Sequence, residues 1–290
     1  MKWLVVGASG MLGQDLVVLL RERREDVRTA DRGAVGITDT LDITDARACL
    51  DVVAGVDVVV NCAAYTAVDD AEQHEATAFG VNAIGAGNLA RAAHRSGARI
   101  VQVSTDYVFD GTADTPYGED DVLAPQSAYG RTKGAGEWAV RAECPDHLVV
   151  RTAWLYGAAG ACFPKTIARI AAERAGIDVV DDQVGQPTWT EDLADLILRL
   201  VLARVPSGTY HGTSSGAVSW YGFAKEIVAA AGLDPTIVRP TTSAAFVRPA
   251  PRPAYSVLGH AALDSIGVRP IGSWEERWIA ASSAVLGALV

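Results

Sequence analysis

Through the first half of the chain, short apolar runs alternate with segments whose apolar residues recur at helical spacing. Residues 2–6 form an apolar run that stops at Gly7, residues 11–24 carry a helical stripe, and residues 27–31 form a second short run. A helix is predicted over 45–54, with Thr44 as its N-cap, and a buried strand over 56–61. An alanine-rich stretch predicts one long helix over 71–96, and strands follow over 99–104 and 147–151. Strand, helix and strand repeated in this way imply an α/β protein whose parallel sheet is covered on both faces.

After Arg151 prolines and glycines become more frequent. Helices are predicted over 163–175, 191–203 and 220–231, the last following Ser219, and residues 179–180 read as one more strand of the sheet. Residues 235–256 are irregular and hold Pro235, Pro240, Pro249, Pro251 and Pro253. A loop of that length in a compact fold is usually functional or disordered. The expected organisation is a first unit over 1–151, completed by strands near 179–182, and a smaller, interleaved lobe over 152–290.

Composition narrows the function classes. The 290 residues are 49% hydrophobic and 21% charged, enough for a substantial core and unlike a disordered chain. Twenty-five basic against 35 acidic side chains leave a net charge of −10. That weighs against a nucleic-acid partner but leaves room for a nucleotide site, where a few local donors suffice. No run of about 18 apolar residues is present, so no membrane span is expected. The first strand reaches Gly7 with no signal-peptide apolar region before it. Cys49, Cys62, Cys144 and Cys162 show neither metal-ligand spacing nor a disulfide framework. A reduced, cytoplasmic protein is therefore expected. Its only lysines are Lys2, Lys133, Lys165 and Lys225, so a lysine inside a motif stands out.

Gly7, Gly10 and Gly13 form G-x-x-G-x-x-G between the first strand and the first helix. Glycines there let backbone N–H groups approach a pyrophosphate, and the helix N-terminus favours the anion. The second strand ends in Asp31 and Arg32. An acid at this place binds the ribose hydroxyls of NAD, and an arginine accepts the 2′-phosphate of NADP, so NADH and NADPH both stay open. Asp42 and Ile43 fall where the adenine edge is expected.

Tyr129 and Lys133 stand four residues apart and share one face of a predicted helix. A phenol with an ordinary pKa of about 10 is a weak acid at neutral pH, and a nearby ammonium stabilises its phenolate. The pair can then protonate a carbonyl oxygen. Gly130, Gly134 and Gly136 weaken that helix by about 1 kcal/mol each, which close approach of a ligand or a neighbouring backbone would explain. The strand over 99–104 runs directly into Thr105, Asp106 and Tyr107, and ligands of an open parallel sheet sit beyond such strand ends. A hydroxyl there can hydrogen-bond a carbonyl as negative charge develops. Read alone, Thr105 is equally a turn residue, Asp106 an Asx-turn and Tyr129/Lys133 a solvated pair.

Longer segments carry a resemblance. They are Gly7-Ala-Ser-Gly-Met-Leu-Gly13, residues 61–72 (NCAAYTAVDDAE), residues 104–111 (STDYVFDG), Tyr129-Gly-Arg-Thr-Lys133, residues 151–156 (RTAWLY), residues 182–188 (DQVGQPT) and residues 249–253 (PAPRP). In this order they resemble the extended short-chain dehydrogenase/reductases and, more closely, the dTDP-4-dehydrorhamnose reductase family. The resemblance implies a Rossmann-type doubly wound parallel sheet with a smaller C-terminal substrate-binding lobe. It implies NADPH-dependent reduction, with NADH as the other cofactor, of the C4 keto group of a dTDP-4-dehydro-6-deoxy-L-hexose.

The same resemblance assigns roles. Thr105, Tyr129 and Lys133 match the catalytic set. Gly7, Gly10, Met11, Leu12, Gly13, Asp31, Arg32, Asp42, Ile43, Ala63, Ala64 and Tyr65, with Tyr129 and Lys133, match the cofactor side. Thr105, Asp106, Tyr107, Tyr129, Trp154 and Arg252 match the sugar-nucleotide side, and Gln183 and Thr188 frame the nucleotide. Some members hold Mg2+ at a homodimer interface through three acidic residues. Asp15 and Glu191 match two of these, but the third falls near Ser273, leaving the set one carboxylate short. Sister ketoreductases of other deoxysugars share these residues. A dehydratase carries Thr-Asp-Glu where Thr105, Asp106 and Tyr107 stand here, and an epimerase retains its NAD. A non-catalytic regulatory subunit of the same fold would have no need of Thr105, Tyr129 and Lys133.

Overall fold

The valine-rich start of the chain enters a buried sheet at once in the computed structural model, which describes residues 1–33 and 35–287. β1 (Lys2–Val6) turns at the glycines into α1 (Met11–Glu22), followed by β2 (Asp26–Asp31), β3 (Asp39–Thr40), α2 (Ala46–Val53) and β4 (Val58–Asn61). A broken helical stretch comes next: α3 (Val68–Ala71), α4 (Glu75–Phe79), a π-helical turn over Gly80–Gly85 and α5 (Ala86–Ser96). β5 (Arg99–Thr105), α6 (Ala128–Glu143) and β6 (His147–Thr152) close the first half. The second half holds β7 (Leu155–Tyr156), α7 (Phe163–Glu173), β8 (Ile177–Val180), β9 (Val184–Gly185), β10 (Thr188–Trp189) and α8 (Thr190–Leu202). It continues through β11 (Gly208–His211), β12 (Val218–Ser219), α9 (Trp220–Ala230), β13 (Val238–Thr241), α10 (Ala261–Ser265) and α11 (Trp274–Leu286).

Seven parallel strands form the central sheet in the order β11-β6-β5-β4-β1-β2-β3. Successive side chains of a strand point to opposite faces, and β1 does this cleanly. Trp3 and Val5 join a core with Leu12 and Leu16 of α1 and Leu193 and Leu196 of α8. Leu4 and Val6 join the opposite core with Leu89 of α5 and Val140 of α6. A third core, around Tyr156, Phe223, Trp274 and Trp278, is built from elements after β6. The strand order reverses between β1 and β4, and the crevice at such a switch point is where this architecture takes its ligands.

Several sequence expectations are corrected. Residues 177–180 do not enter the central sheet: β8 pairs with β13 in a separate two-stranded sheet. Its alternating burial suits a strand with one covered face, whereas β6 is buried along nearly its whole length. The sheet is completed instead by β11, from residues 208–211. The expected helix over 71–96 is broken, and its π-helical turn carries Asn82. The Asn82 amide accepts from Tyr65 N–H (2.8 Å) and donates to Tyr65 O (3.1 Å) and Thr132 Oγ1 (3.0 Å). The backbone widens where this side chain is held, as π-turns do near functional sites. Asp45, not Thr44, caps α2, accepting from Arg47 and Ala48 N–H (2.9 and 3.0 Å), while Thr44 donates to Asp42.

Candidate active site

The glycine turn is shaped by what lies against it. Gly7 has φ of +76°, and a Cβ there would stand 2.5 Å from Ala63 N, in the loop beyond β4. A Cβ on Gly13 would collide with Gly7 O, so this glycine lets α1 start close under the loop. Gly10 is the N-cap and makes no side-chain cap, which leaves the helix N-terminus open to an anion. Gly7→Ala is expected to destabilise the fold by at least about 1–2 kcal/mol from the left-handed backbone alone. It should also disturb anion binding at the open helix N-terminus, because Ala63 must retreat; a melting curve and a nucleotide titration check both.

A cleft of about 680 Å³ runs along the ends of β1, β4, β5 and β6. The glycine turn with Met11 and Leu12, then Asp31, Arg32, Asp42, Ile43, Ala63 and Ala64, line one part of it. Thr105, Asp106, Tyr107, Tyr129, Lys133 and Trp154 line another. The structure thus brings together most of the residues the sequence singles out. Ser9, Thr66, Gly160 and Ala161 also line it and were missed. Ser9 lay inside the glycine motif, while nothing local marks Gly160 and Ala161, which the second lobe contributes.

At the end of the cleft beside β2, Asp31 accepts from Ser9 N–H (3.0 Å), Ser9 Oγ and Arg32 N–H (2.7 Å). Burial alone would raise its carboxyl, but these donors and the Arg32 charge hold it below the ordinary carboxylate range. Arg32 is exposed. Asp42 accepts from Thr44 N–H and Oγ1 (2.9 and 2.8 Å), and these bonds lower its pKa.

At the other end α6 brings Tyr129 and Lys133 to the cleft. Ser127 caps it, accepting from Gly130 N–H at 3.1 Å. A Cβ on Gly130 would strike Tyr107 O and one on Gly136 would strike Asn82 O, so neighbouring backbone explains both glycines. Gly134 makes only ordinary contacts. Tyr129 is half-buried and packs edge-to-face on Tyr107, with ring centroids 5.6 Å apart. Burial pushes its pKa up to about 12, with the Thr105 hydroxyl lowering and the Asp106 charge raising it. Lys133 is 4% exposed and donates to Val103 O at 2.6 Å. Burial brings its pKa down to about 8, against the raising influence of Glu137. Thr105 Oγ1 donates to Asp106 Oδ1 at 2.9 Å, and Asp106 Oδ2 is buried without a partner in the cleft. Burial lifts the Asp106 pKa to about 6.

Behind α6 lies a buried ionic network. Arg151 forks onto Glu137 (2.9 and 2.8 Å), Ser104 Oγ donates to Glu137 at 2.6 Å, and Arg151 also donates to Glu119 O at 3.0 Å. Tyr129, Lys133 and Glu137 follow one another at four-residue intervals, so this network anchors the helix face that bears the site.

Other expected residues lie elsewhere. Tyr65 is absent from the cleft lining: its hydroxyl donates to Asp70 and its backbone is held by Asn82. Arg252 lines an adjoining groove of about 220 Å³ that meets the cleft at Tyr107, and it pairs with Asp69 at 2.9 Å. Gln183 donates to Ser243 Oγ at 2.7 Å, and Thr188 is fully buried and donates to Gln186 O. Asp15 accepts from the Thr190 hydroxyl, Glu191 follows at the start of α8, and Ser273 caps α11. Among the described residues no three His, Cys, Asp or Glu side chains converge as a metal site. No helix among them is long and apolar enough to cross a membrane.

A doubly wound parallel sheet, a glycine turn at its switch point and a Tyr-Lys pair beside a strand-end threonine define an NAD(P)-dependent oxidoreductase of the extended short-chain type. The family described as RmlD substrate binding domain matches residues 1–285. The chain is 46% identical over 293 residues to a dTDP-4-dehydrorhamnose reductase of Streptomyces griseus, covering 99% of this chain and 94% of that one. It is 48% identical to a probable dTDP-4,6-dihydroxy-2-methyloxan-3-one 4-ketoreductase of Streptomyces antibioticus, covering 99% and 97%. The crystal structure of dTDP-4-dehydrorhamnose reductase from Bacillus anthracis in complex with NADP superposes with a TM-score of 0.90 at 39% identity, covering 95% and 97%. The chain belongs to the dTDP-4-dehydrorhamnose reductase family.

Proposed function

We propose that this protein reduces the C4 ketone of a dTDP-4-dehydro-6-deoxy-L-hexose with NADPH, the substrate being dTDP-4-dehydro-L-rhamnose and the product dTDP-L-rhamnose. The observation that carries this reading is the meeting of Thr105, Tyr129 and Lys133 in the same cleft as the glycine turn. The glycine turn fits a dinucleotide: Gly7 and Gly13 let the loop fold tightly against Ala63 and the start of α1, and Gly10 leaves the helix N-terminus without a side-chain cap in the cleft. NADPH, when bound, supplies the hydride. Tyr129, protonated at neutral pH, gives its phenolic proton to the C4 oxygen. Lys133, as an ammonium, stabilises the phenolate left behind and holds the nicotinamide ribose. Thr105, turning its one O–H from Asp106 Oδ1 to the substrate, donates a hydrogen bond to the carbonyl as charge develops. Tyr107 stands where a dehydratase would need a carboxylate, which disfavours elimination.

Oxidation of NADPH followed at 340 nm with dTDP-4-dehydro-L-rhamnose, and product configuration by NMR, test the reading. Rapid oxidation with rhamnose configuration supports it, and no oxidation or the opposite C4 configuration overturns it. The 48% identity to the antibioticus 4-ketoreductase favours, as a second reading, a sister enzyme of another deoxysugar. The opposite C4 configuration would select it.

Arg32, exposed at the cleft beside the fixed Asp31, is assigned the 2′-phosphate. Charge-assisted hydrogen bonds of this kind contribute about 1.5–3 kcal/mol, so Arg32→Ser is expected to raise the KM for NADPH roughly 10–100-fold. The KM for NADH should hardly move, and steady-state kinetics with both cofactors decide it.

A further inference from the structure

Trp154 stands in a backbone conformation that a bulky residue rarely adopts. Its φ is +47°, in the left-handed region. Such a conformation persists only where the surroundings over-determine it, and these cluster at functional sites. The surroundings here are specific. The Trp154 indole lies flat on that of Trp220, with ring centroids 3.4 Å apart and planes 5° from parallel. Gly185 sits at the edge of the same indole, where a Cβ would come within 2.5 Å of Trp154 Cε2. Gly185 is thus a seat that only glycine provides.

Trp220 is itself fixed. It is the first residue of α9, and Ser219 caps that helix by accepting from Gly222 N–H at 3.0 Å. Trp220 N–H donates to Gln183 O at 3.3 Å, and Phe163 packs behind its ring at 4.4 Å, tilted by 54°. Trp154 lines the cleft with Thr105, Tyr107 and Tyr129, whereas Trp220 is not part of that lining. One indole therefore faces the reacting centre, and the other holds it from the second lobe.

We infer that Trp220 is a positioning residue for the sugar: by stacking on Trp154 over Gly185, it holds that indole as a rigid wall that sets the keto-sugar ring against Tyr129. The inference rests on the functional reading above. It assigns Gln183 a place as well, since the Gln183 carbonyl anchors Trp220 although Gln183 does not reach the cleft. A flat aromatic wall suits the apolar face of a deoxysugar and orients the ring without a hydrogen bond.

The test compares wild type, Trp220→Leu and Trp220→Phe in three measurements. The first is steady-state kinetics with dTDP-4-dehydro-L-rhamnose and NADPH. Misplacement of about 1 Å at a reacting centre lowers rates roughly 100-fold, so kcat/KM of Trp220→Leu for the sugar nucleotide should fall about 10–100-fold. The KM for NADPH should stay within about twofold, and Trp220→Phe, which keeps a flat ring, should recover to within about threefold of wild type. The second is near-ultraviolet circular dichroism, in which the coupled signal of the stacked indoles should vanish in Trp220→Leu. The third is the melting temperature. Loss of the coupled signal with unchanged sugar kinetics overturns the inference. So does an equal rise in both KM values with a large fall in melting temperature, since the stack is then ordinary packing. If wild type fails to turn the substrate over, the functional reading falls. The Kd of dTDP-L-rhamnose for the same proteins then decides the inference, which stands only if Trp220→Leu weakens it selectively and falls if there is no binding.

Discussion

Replacing Tyr129 by Phe is expected to lower kcat by roughly 10³ while leaving NADPH affinity near that of wild type, because the substitution removes only the proton donor. The ring stays, and with it the edge-to-face contact on Tyr107 at 5.6 Å, so the fold has no reason to yield. With a pKa raised to about 12, Tyr129 keeps its proton throughout the neutral range, and that proton is the one proposed to reach the C4 oxygen. The limiting titration belongs to Lys133, whose pKa burial brings down to about 8. A lysine loses its charge as pH rises through its pKa, so kcat/KM for NADPH should be nearly full at pH 7, about half lost near pH 8 and lower above it. Stopped assays at 340 nm across pH 6–10, with a fluorescence titration of NADPH, read both effects. A Tyr129→Phe rate within about threefold of wild type would move the proton donor elsewhere.

The largest loss of stability is expected from Glu137→Leu. Glu137 and Arg151 are 0% and 1% exposed, and removal of the carboxylate leaves a guanidinium buried without its partner. Breaking one side of such a pair costs about 3–5 kcal/mol, which for a chain of this size lowers Tm by roughly 6–15 °C. Adding Arg151→Met should restore much of that, since a buried pair replaced by apolar groups is often neutral. The Ser104 hydroxyl, left without its acceptor, and the charge of Arg141, 3.4 Å from Glu137, set how complete the recovery is. Differential scanning calorimetry of the two single variants and the double variant gives the coupling directly. A double variant as unstable as Glu137→Leu would show that packing, not an orphaned charge, dominates.

The two kinds of residue differ in how far the sequence reveals them. Tyr129, Lys133 and the glycine turn are local patterns, held at fixed spacing on one helix or one turn, and their places could be read before any tertiary contact was known. β11 could not. Its four residues, Gly-Thr-Tyr-His, lie between Pro206 and Gly212 with no apolar run to mark them, and pairing with β6 makes them a strand. Residues 179–180 show the converse, an apolar pair whose strand, β8, finds its partner β13 outside the central sheet. The π-helical turn within residues 71–96 is legible only with Asn82 in view, because its hydrogen bond from Tyr65 N–H, 17 positions earlier, is a tertiary contact that alanine-rich propensity does not show. Helix α11 was not anticipated either, though Trp274 and Trp278, four residues apart, are buried in the second-lobe core. At the site, Arg252 separates from the cleft because Asp69, distant in sequence, holds it in the next groove.

The path of the chain through the central sheet bears on how such proteins can diverge. The chain leaves the sheet after β6, builds much of the second lobe, and returns to add α8 and β11 before leaving again. A single crossover near residue 151 between two homologous genes would give each hybrid a β6 and a β11 of different parentage, meeting along four paired residues. It would also place α8 of one parent on α1 of the other, across the Leu16–Leu193 core. Exchange of substrate preference by recombination therefore demands three junctions, with the segment holding α8 and β11 kept from the parent that supplies the dinucleotide half. Chimaeras made that way should stay folded, and single-crossover hybrids should be recovered only between parents whose α1 and α8 already match.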